Sequence, residues 1–483
     1  MTNAATISAT PADVPLHDQA DEADVKTSRW AGRGSWALLD QALFSGANWV
    51  LLFLLARWWG EEKAAYGAFV LGWQAFLLFA IFHNGVLLDP MLVYGPKRFA
   101  GRVGGYLGAL LAGSAVVSGV GVIVLLTVAA AYSAAGVDVG VAGVVAFALV
   151  TPLILLWWVA RRSSYIRSEP RPAALAGLGY VTLMVGGTLA LQAAGQLTPV
   201  TAALVFGLAS VPAALGVAWA EGVGRPTLAT LREAAGPHWR FGRWAIVAGL
   251  AMLVPERIYY FALPLMFADG GEGTRLTGSL QAVHNFFIPF LQFNVAVCSV
   301  LTPTFVLAGR GRLRKLVGAT AMLLIGLPAL WAVGATLFAP QVLSLVYAGR
   351  YDEHADLLRI MCWSPVLTGI TMTAYPLLSS RERPELISYA GLAGLAFSVT
   401  GGLWLLSAYG LTGAAYAIVG AAGMTALASL AAGLYVWRTS ACDEPATDNA
   451  ESSAAEAAVG DDEPSAGVGD PAAADREAER DDA

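Results

Sequence analysis

The stretch GSWALLDQALFSGANWVLLFLLARWWG (Gly34–Gly60) can be laid over GRWAIVAGLAMLVPERIYYFALPLMFA (Gly242–Ala268) at an offset of 208 residues, with Trp36 on Trp244 and Asn48 on Glu256. Each stretch exceeds the roughly 20 mainly apolar residues that a helix needs to cross a hydrocarbon core. The match continues into the next segments at offsets of 211 to 213: Gly67 falls on Gly278, Gln74 on Asn285, and LLDPMLVYG (Leu87–Gly95) on VLTPTFVLAG (Val300–Gly309). Order is kept across two consecutive spans, so the chain reads as two repeats of one membrane unit.

Working outward, the sequence holds twelve such apolar segments, from Ser35–Arg57 at the start to Thr412–Trp437 at the end. The composition agrees: 57% of the 483 residues are hydrophobic and 13% charged, too apolar and too charge-poor for an ordinary soluble protein of this length. The net charge of −6 hides an asymmetry, because residues 441–483 carry fourteen acids against two arginines and the remainder is +6. That acidic tail and the head 1–29 lack periodic apolar residues and are expected to be disordered, since neither can offset the entropy of folding. The head has no apolar run of its own, so the first span is expected to direct insertion.

Orientation follows from the bases in the short loops. With the N-terminus inside, 21 Lys and Arg fall on the inner side and five (Arg57, Lys63, Arg275, Arg350 and Arg359) on the outer side. Both termini are therefore expected to be cytoplasmic. Six spans per half place the halves in the same orientation, with domains 30–220 and 241–440 joined by a cytoplasmic linker 221–240, whose TLATLREAA reads as an amphipathic surface helix. Cys298, Cys362 and Cys442 are too scattered for a disulfide framework or a metal site. There is no G-x-x-x-x-G-K-[ST] loop to bind nucleotide, and no cofactor is expected.

LLARWWGEEKAAYGAFVLGWQAFLL (Leu54–Leu78), with Arg57, Gly60, Tyr66 and Gly67, and LLDPMLVYGPKRF (Leu87–Phe99) carry a resemblance to a known family. They resemble the polysaccharide biosynthesis and export branch of the multidrug/oligosaccharidyl-lipid/polysaccharide flippase superfamily. The resemblance implies an all-α membrane fold of two six-helix bundles around a central cleft lined mainly by spans one, two, seven and eight. It implies alternating access with no enzymatic step, in a bacterial cytoplasmic membrane. The implied substrate is a polyprenyl-diphosphate-linked glycan flipped from the inner to the outer leaflet, with membrane lipids and glycan polymerases or glycosyltransferases as partners and no nucleic acid.

Polar residues inside apolar helices must face protein or water. Gln41, Ser45 and Asn48 form one stripe on span one at i, i+4 and i+7, with Asp40 nearer the inner end, where it can meet interfacial water. Gln74 lies on span two, which is expected to end at LLDP around Asp89. Gln281, Asn285 and Gln292 share a face of span eight, and Ser364, Thr368, Thr371 and Tyr375 share one on span ten. His83 and His284 read either as structural hydrogen-bonders or as proton carriers.

Span seven poses the sharpest question, because Pro255, Glu256 and Arg257 interrupt an otherwise apolar run. Residues 241–266 make one helix of about 39 Å at 1.5 Å per residue, which places Arg257 within the bilayer. An Arg there costs about 2.5–3.5 kcal/mol on insertion scales unless a partner or wet cavity receives it. Either Glu256 neutralises Arg257, or Arg257 offers its charge to a substrate phosphate while Glu256 sets its rotamer or exchanges a cation. The substrate-binding candidates are Arg257, Glu256, Gln41, Ser45, Asn48, Gln74, Gln281 and Asn285; the ion-coupling candidates are Asp40 and Glu256. Two other readings stay open: a drug/cation antiporter of the same superfamily, and a non-transporting scaffold for glycan-assembly enzymes.

Overall fold

The computed structural model describes residues 16–439 apart from Leu307, Gly309 and Glu382, with side chains from Gly34 onward except those of Ser299, Pro303, Arg310 and Pro384. The acidic tail 441–483 and residues 1–15 of the head lie outside the described residues. Among the described residues all regular structure is helical. The first bundle comprises α1 (Leu16–Trp58), α2 (Lys63–Arg98), α3 (Val103–Ala134), α4 (Asp138–Ser163), α5 (Arg171–Ala193) and α6 (Pro199–Ala220). The second comprises α7 (Leu228–Met266), α8 in two pieces (Glu272–His284 and Ile288–Val306), α9 (Gly311–Leu337), α10 (Ser364–Ser380), α11 (385–409) and α12 (411–439). Short helices Ala339–Tyr347 and Ala355–Met361 lead into α10.

Ten helices among the described residues are long and apolar enough to cross a membrane, and the two pieces of α8, bent by 49°, make an eleventh. Gly410, with φ 56° and ψ −134°, breaks the run from Glu385 to Thr439 into α11 and α12, which brings the spans to the twelve expected. That backbone conformation is open to glycine and strained for any residue with a Cβ.

Three local expectations differ from the structure. First, α1 begins at Leu16, inside the head expected to be unfolded. Second, α7 begins at Leu228 with Thr227 as its cap, Thr230 N–H donating to Thr227 Oγ1 (3.2 Å), and runs unbroken to Met266. The TLATLREAA segment is thus the start of span seven and not a separate surface helix. Third, α2 does not end at Asp89; it passes through a π-turn at Asn84–Leu88 and continues to Arg98. Pro90 has no N–H for the carbonyl of Val86, four residues back. His238 of α7 supplies the missing donor, its Nδ1–H lying 2.9 Å from Val86 O, while Tyr106 O–H donates to His238 Nε2 (2.8 Å). A residue outside the helix therefore satisfies the orphan carbonyl that would otherwise terminate it.

Within a bilayer the apolar effect does not favour one helix pairing over another, and close packing does most of the work. The first bundle packs α2 against α4 through Gly72 and Gly143; a Cβ on Gly143 would stand 1.8 Å from Ala68 O. Around this crossing Trp73, Phe147 and Phe206 interlock, with ring centroids 5.1 Å apart for Trp73–Phe206. The bundles meet chiefly through α2 against α7 and α8. At the end that the loop charges assign to the outside, here termed the outer end, a Cβ on Gly67 would fall 1.8 Å from Thr274 O, and one on Gly278 would fall 2.5 Å from Lys63 O. Position 63 corresponds to 274, and 67 to 278, at the repeat offset of 211 read from the sequence. The crossing is therefore reciprocal, as a two-fold relation between the repeats requires.

Candidate functional site: a polar cleft between the bundles

At the opposite end, which the loop charges assign to the inside and which is here termed the inner end, α1, α2, α4 and α8 enclose a cavity of about 220 Å³ lined by Gln41, Ser45, Asn84, Arg161, Arg162 and Gln292 among others. The α1 stripe faces it as expected: Gln41 Nε2 donates to Ser45 Oγ (2.7 Å) and, across the bundle interface, to Gln292 Oε1 (3.4 Å). Asp40 does not meet water. It is fully buried, bonded by Arg161 through Nε (2.8 Å) and Nη2 (2.8 Å), and by Tyr165 O–H (2.5 Å). The same guanidinium reaches Gln41 Oε1 (3.0 Å) and lies 4.1 Å from the centre of the Phe44 ring. Arg161 is thereby committed to structure. Arg162, its neighbour, is half-buried against the cavity and has no carboxylate within 4 Å among the described residues; Asp89 acts on it only at longer range.

Above the cavity a continuous polar chain crosses between the bundles. Arg257 Nη1 donates to Gln74 Oε1 (2.9 Å), Gln74 Nε2 to Gln281 Oε1 (2.7 Å), and Gln281 Nε2 to Asn285 Oδ1 (2.8 Å). Asn285 Nδ2 donates to the hydroxyls of Tyr66 (3.0 Å) and Tyr347 (3.4 Å), which close the chain on Leu52 O and Ala282 O. The partner of Arg257 is thus a buried amide on the other bundle, Gln74, and not Glu256. The repeat accounts for the position: Trp49 corresponds to Arg257 and Asn285 to Gln74, and Trp49 Nε1 donates to Asn285 O (2.9 Å). Asn48, the residue before Trp49, has its Oδ1 buried and, among the described residues, unbonded. Replacing Gln74 by leucine would strand Arg257 and Gln281 together. We expect a loss of about 1–3 kcal/mol per stranded group, read as a lowered midpoint of thermal unfolding in detergent.

Glu256 points elsewhere. It lines a separate cavity of about 50 Å³ inside the second bundle with Thr368, Thr371 and Thr425. Adjacent helical residues diverge by about 100°, so one helix sends Arg257 to the interface and Glu256 into the bundle. Pro255, between them and the inner half of α7, has its carbonyl bonded by Ser398 Oγ (3.0 Å) from a π-turn in α11. The Thr368–Thr371 face of span ten meets Glu256, and Tyr375 is exposed.

The outer end is closed. Arg57 Nη1 donates to Val346 O (2.6 Å), Arg350 donates to Arg57 O, and Lys63 Nζ donates to Glu353 Oε1 (2.7 Å). Arg350 also pairs with Glu61, and Arg275 pairs with Glu272 and, at 3.9 Å, with Glu353. Of the five bases counted as outer, Arg57, Lys63 and Arg350 bind one bundle to the other, while Arg275 and Arg359 pair within the second. Tyr347, Arg161 and Arg162 were not singled out in the sequence: the arginines were counted with the inner loops, and Tyr347 sits in a short helix outside any repeat match.

No family model and no curated protein matches the chain. Solved structures do. An inward-facing multidrug resistance MATE family transporter of the MOP superfamily aligns with TM-score 0.67 at 18% identity, covering 84% of this chain and 96% of its own. A MOP superfamily transporter from Pyrococcus furiosus gives 0.61 at 18% identity (86% and 97% covered). Lipid II flippase MurJ, in an inward closed conformation, gives 0.62 at 13% identity (82% and 87% covered). The chain therefore has the fold of the MOP superfamily transporters: a multi-pass helical membrane protein of two bundles.

Proposed function

We propose that this chain is a transporter that flips a lipid-linked oligosaccharide from the inner to the outer leaflet of a bacterial cytoplasmic membrane, by alternating access between its two bundles. The observation that carries this is Arg162, an arginine without a carboxylate partner at a polar cavity on the inner side, while the outer side is latched. A guanidinium forks onto phosphate oxygens through paired N–H donors, which suits a diphosphate. Gln41, Ser45 and Gln292 beside it offer amides and a hydroxyl to sugar hydroxyls. In the cycle we envisage, Gln74, Gln281, Asn285 and Arg257 separate as the bundles part and then meet the substrate. Glycosyltransferases and a glycan polymerase would act before and after it. The likeness to a lipid II flippase supports a lipid-linked substrate.

In a deletion strain that has lost its surface glycan, wild type should restore it, Arg162→Lys should restore part of it, and Arg162→Gln at equal expression should restore less than a tenth. Full restoration by Arg162→Gln would overturn the assignment. A second reading, a drug/cation antiporter, is favoured by one observation: Glu256 in its own cavity with Thr368 and Thr371. Asp40, paired with Arg161, is not free to serve it. Drug sensitivity with normal glycan in the deletion strain would favour that reading.

A further inference from the structure

Of the five histidines, four have described side chains, and two of these hydrogen-bond their surroundings: His83 to Ser114 (2.9 Å) and His238 to Val86 and Tyr106; His354 Nε2 makes no hydrogen bond among the described residues but lies 3.2 Å from the Glu353 carboxylate. His284 differs. It is buried and, among the described residues, neither ring nitrogen has a hydrogen-bond partner. Its ring lies 6.1 Å from that of Tyr260, whose hydroxyl is also buried and unbonded, and the Arg257 guanidinium lies 5.9 Å from the same Tyr260 ring with its Nε buried and unbonded. Four unbonded polar atoms thus gather where α7 packs on α8. Unbonded buried groups are rare and costly, so a cluster of them marks a place whose partners arrive in another state.

The position is also mechanical. His284 is the last residue of the outer piece of α8, at the 49° break, and Asn285 beside it ends the chain of amides from Arg257. We propose that His284 is a proton-binding switch for the outer closure, a reading that rests on alternating access but not on the identity of the substrate. A proton added to the free ring nitrogen turns the imidazole into an imidazolium with two N–H donors, one able to bond the Tyr260 hydroxyl. The new charge repels Arg257, loosens its bond to Gln74 on the other bundle, and so favours parting of the outer ends. The titratable and charged groups around it are Arg257, Glu256 and Tyr260 on α7, with Tyr66 of α2 and Tyr347 of the short helix meeting α8 at Asn285. The site is distinct from the cavity of Glu256.

The test uses the full chain in lipid nanodiscs with spin labels at Glu62 and Asp269, on the outer turns of the two bundles. In wild type the distance distribution should lengthen as pH falls from roughly 7 to 4, because burial and the Arg257 charge both oppose the proton. His284→Gln should abolish the transition, and so should Arg257→Met, because the charge that the imidazolium repels and the bond to Gln74 that it loosens are both gone. Should His284→Gln fail to fold, Arg257→Met decides: a pH transition that persists in it overturns the proposal. A transition that survives His284→Gln, one abolished by His354→Gln, or none in wild type overturns the proposal. The readout needs no substrate, so a failure to flip glycan with this transition intact would sink the flippase reading alone.

Discussion

Gly67→Val is expected to hold the outer ends of the bundles apart. Its Cβ would stand 1.8 Å from Thr274 O, and reaching the 3.4 Å of ordinary contact requires 1.6 Å of movement against backbone, not against a flexible side chain. The reciprocal contact at Gly278 leaves no slack on the opposite side of the crossing. Overpacking of this kind costs about 1–3 kcal/mol where the structure must absorb it. Here the two bundles can instead separate as bodies, which would break the Lys63–Glu353 pair and the Arg57 and Arg350 bonds together. Spin labels at Glu62 and Asp269 should therefore report a longer outer distance at neutral pH than in wild type, with the second bundle's own packing unchanged. An unaltered distribution at wild-type thermal stability would show that the Gly67–Gly278 crossing does not set the closed state.

The second large effect concerns Asp40. Removing one partner of a buried ion pair leaves the other charge uncompensated, at a cost of about 3–5 kcal/mol. Asp40→Ala strands the Arg161 guanidinium, whose side chain is 6% exposed, with only Gln41 and the Phe44 ring beside it. Replacing both members, Asp40→Leu with Arg161→Met, should recover most of the loss, because matched apolar groups avoid the desolvation of two ions. Thermal unfolding of the single and double variants reads this directly. If Asp40→Ala kept the wild-type melting point while abolishing ion-coupled transport, Asp40 would be a coupling acid and not the anchor of α1 on α4.

What the sequence conveyed follows from which interactions are local or periodic. Span count and orientation rest on apolarity and on loop charge, both read residue by residue. The two-fold crossing was legible because repeats keep their spacing: Gly67 and Gly278, matched by offset, meet at the interface, and Gln74 and Asn285, matched by the same offset, are joined there through Gln281. The Asp40–Arg161 pair was not legible, because its members are 121 residues apart and each has a bland reading alone. The continuation of α2 past Asp89 was hidden for the same reason: the donor that replaces the missing N–H of Pro90 is His238, on the other bundle. Arg162 looks the same in sequence whether it faces headgroups or a cleft, since inner helix ends carry bases in either case. LVPERIYY left two receivers open for Arg257, Glu256 or a substrate phosphate, and the bond it makes to Gln74 was hidden because that residue is 183 positions away.

The central claim is that the inner cavity loads a lipid-linked diphosphate and the bundles carry it across. It is tested most directly in proteoliposomes containing the purified full chain and a fluorescent polyprenyl-diphosphate oligosaccharide, with a membrane-impermeant quencher reporting the lipid in the accessible leaflet. Wild type is predicted to move the label between leaflets, and Arg162→Gln to slow that movement at least tenfold at equal reconstitution. Equal rates for wild type, Arg162→Gln and protein-free vesicles would contradict it.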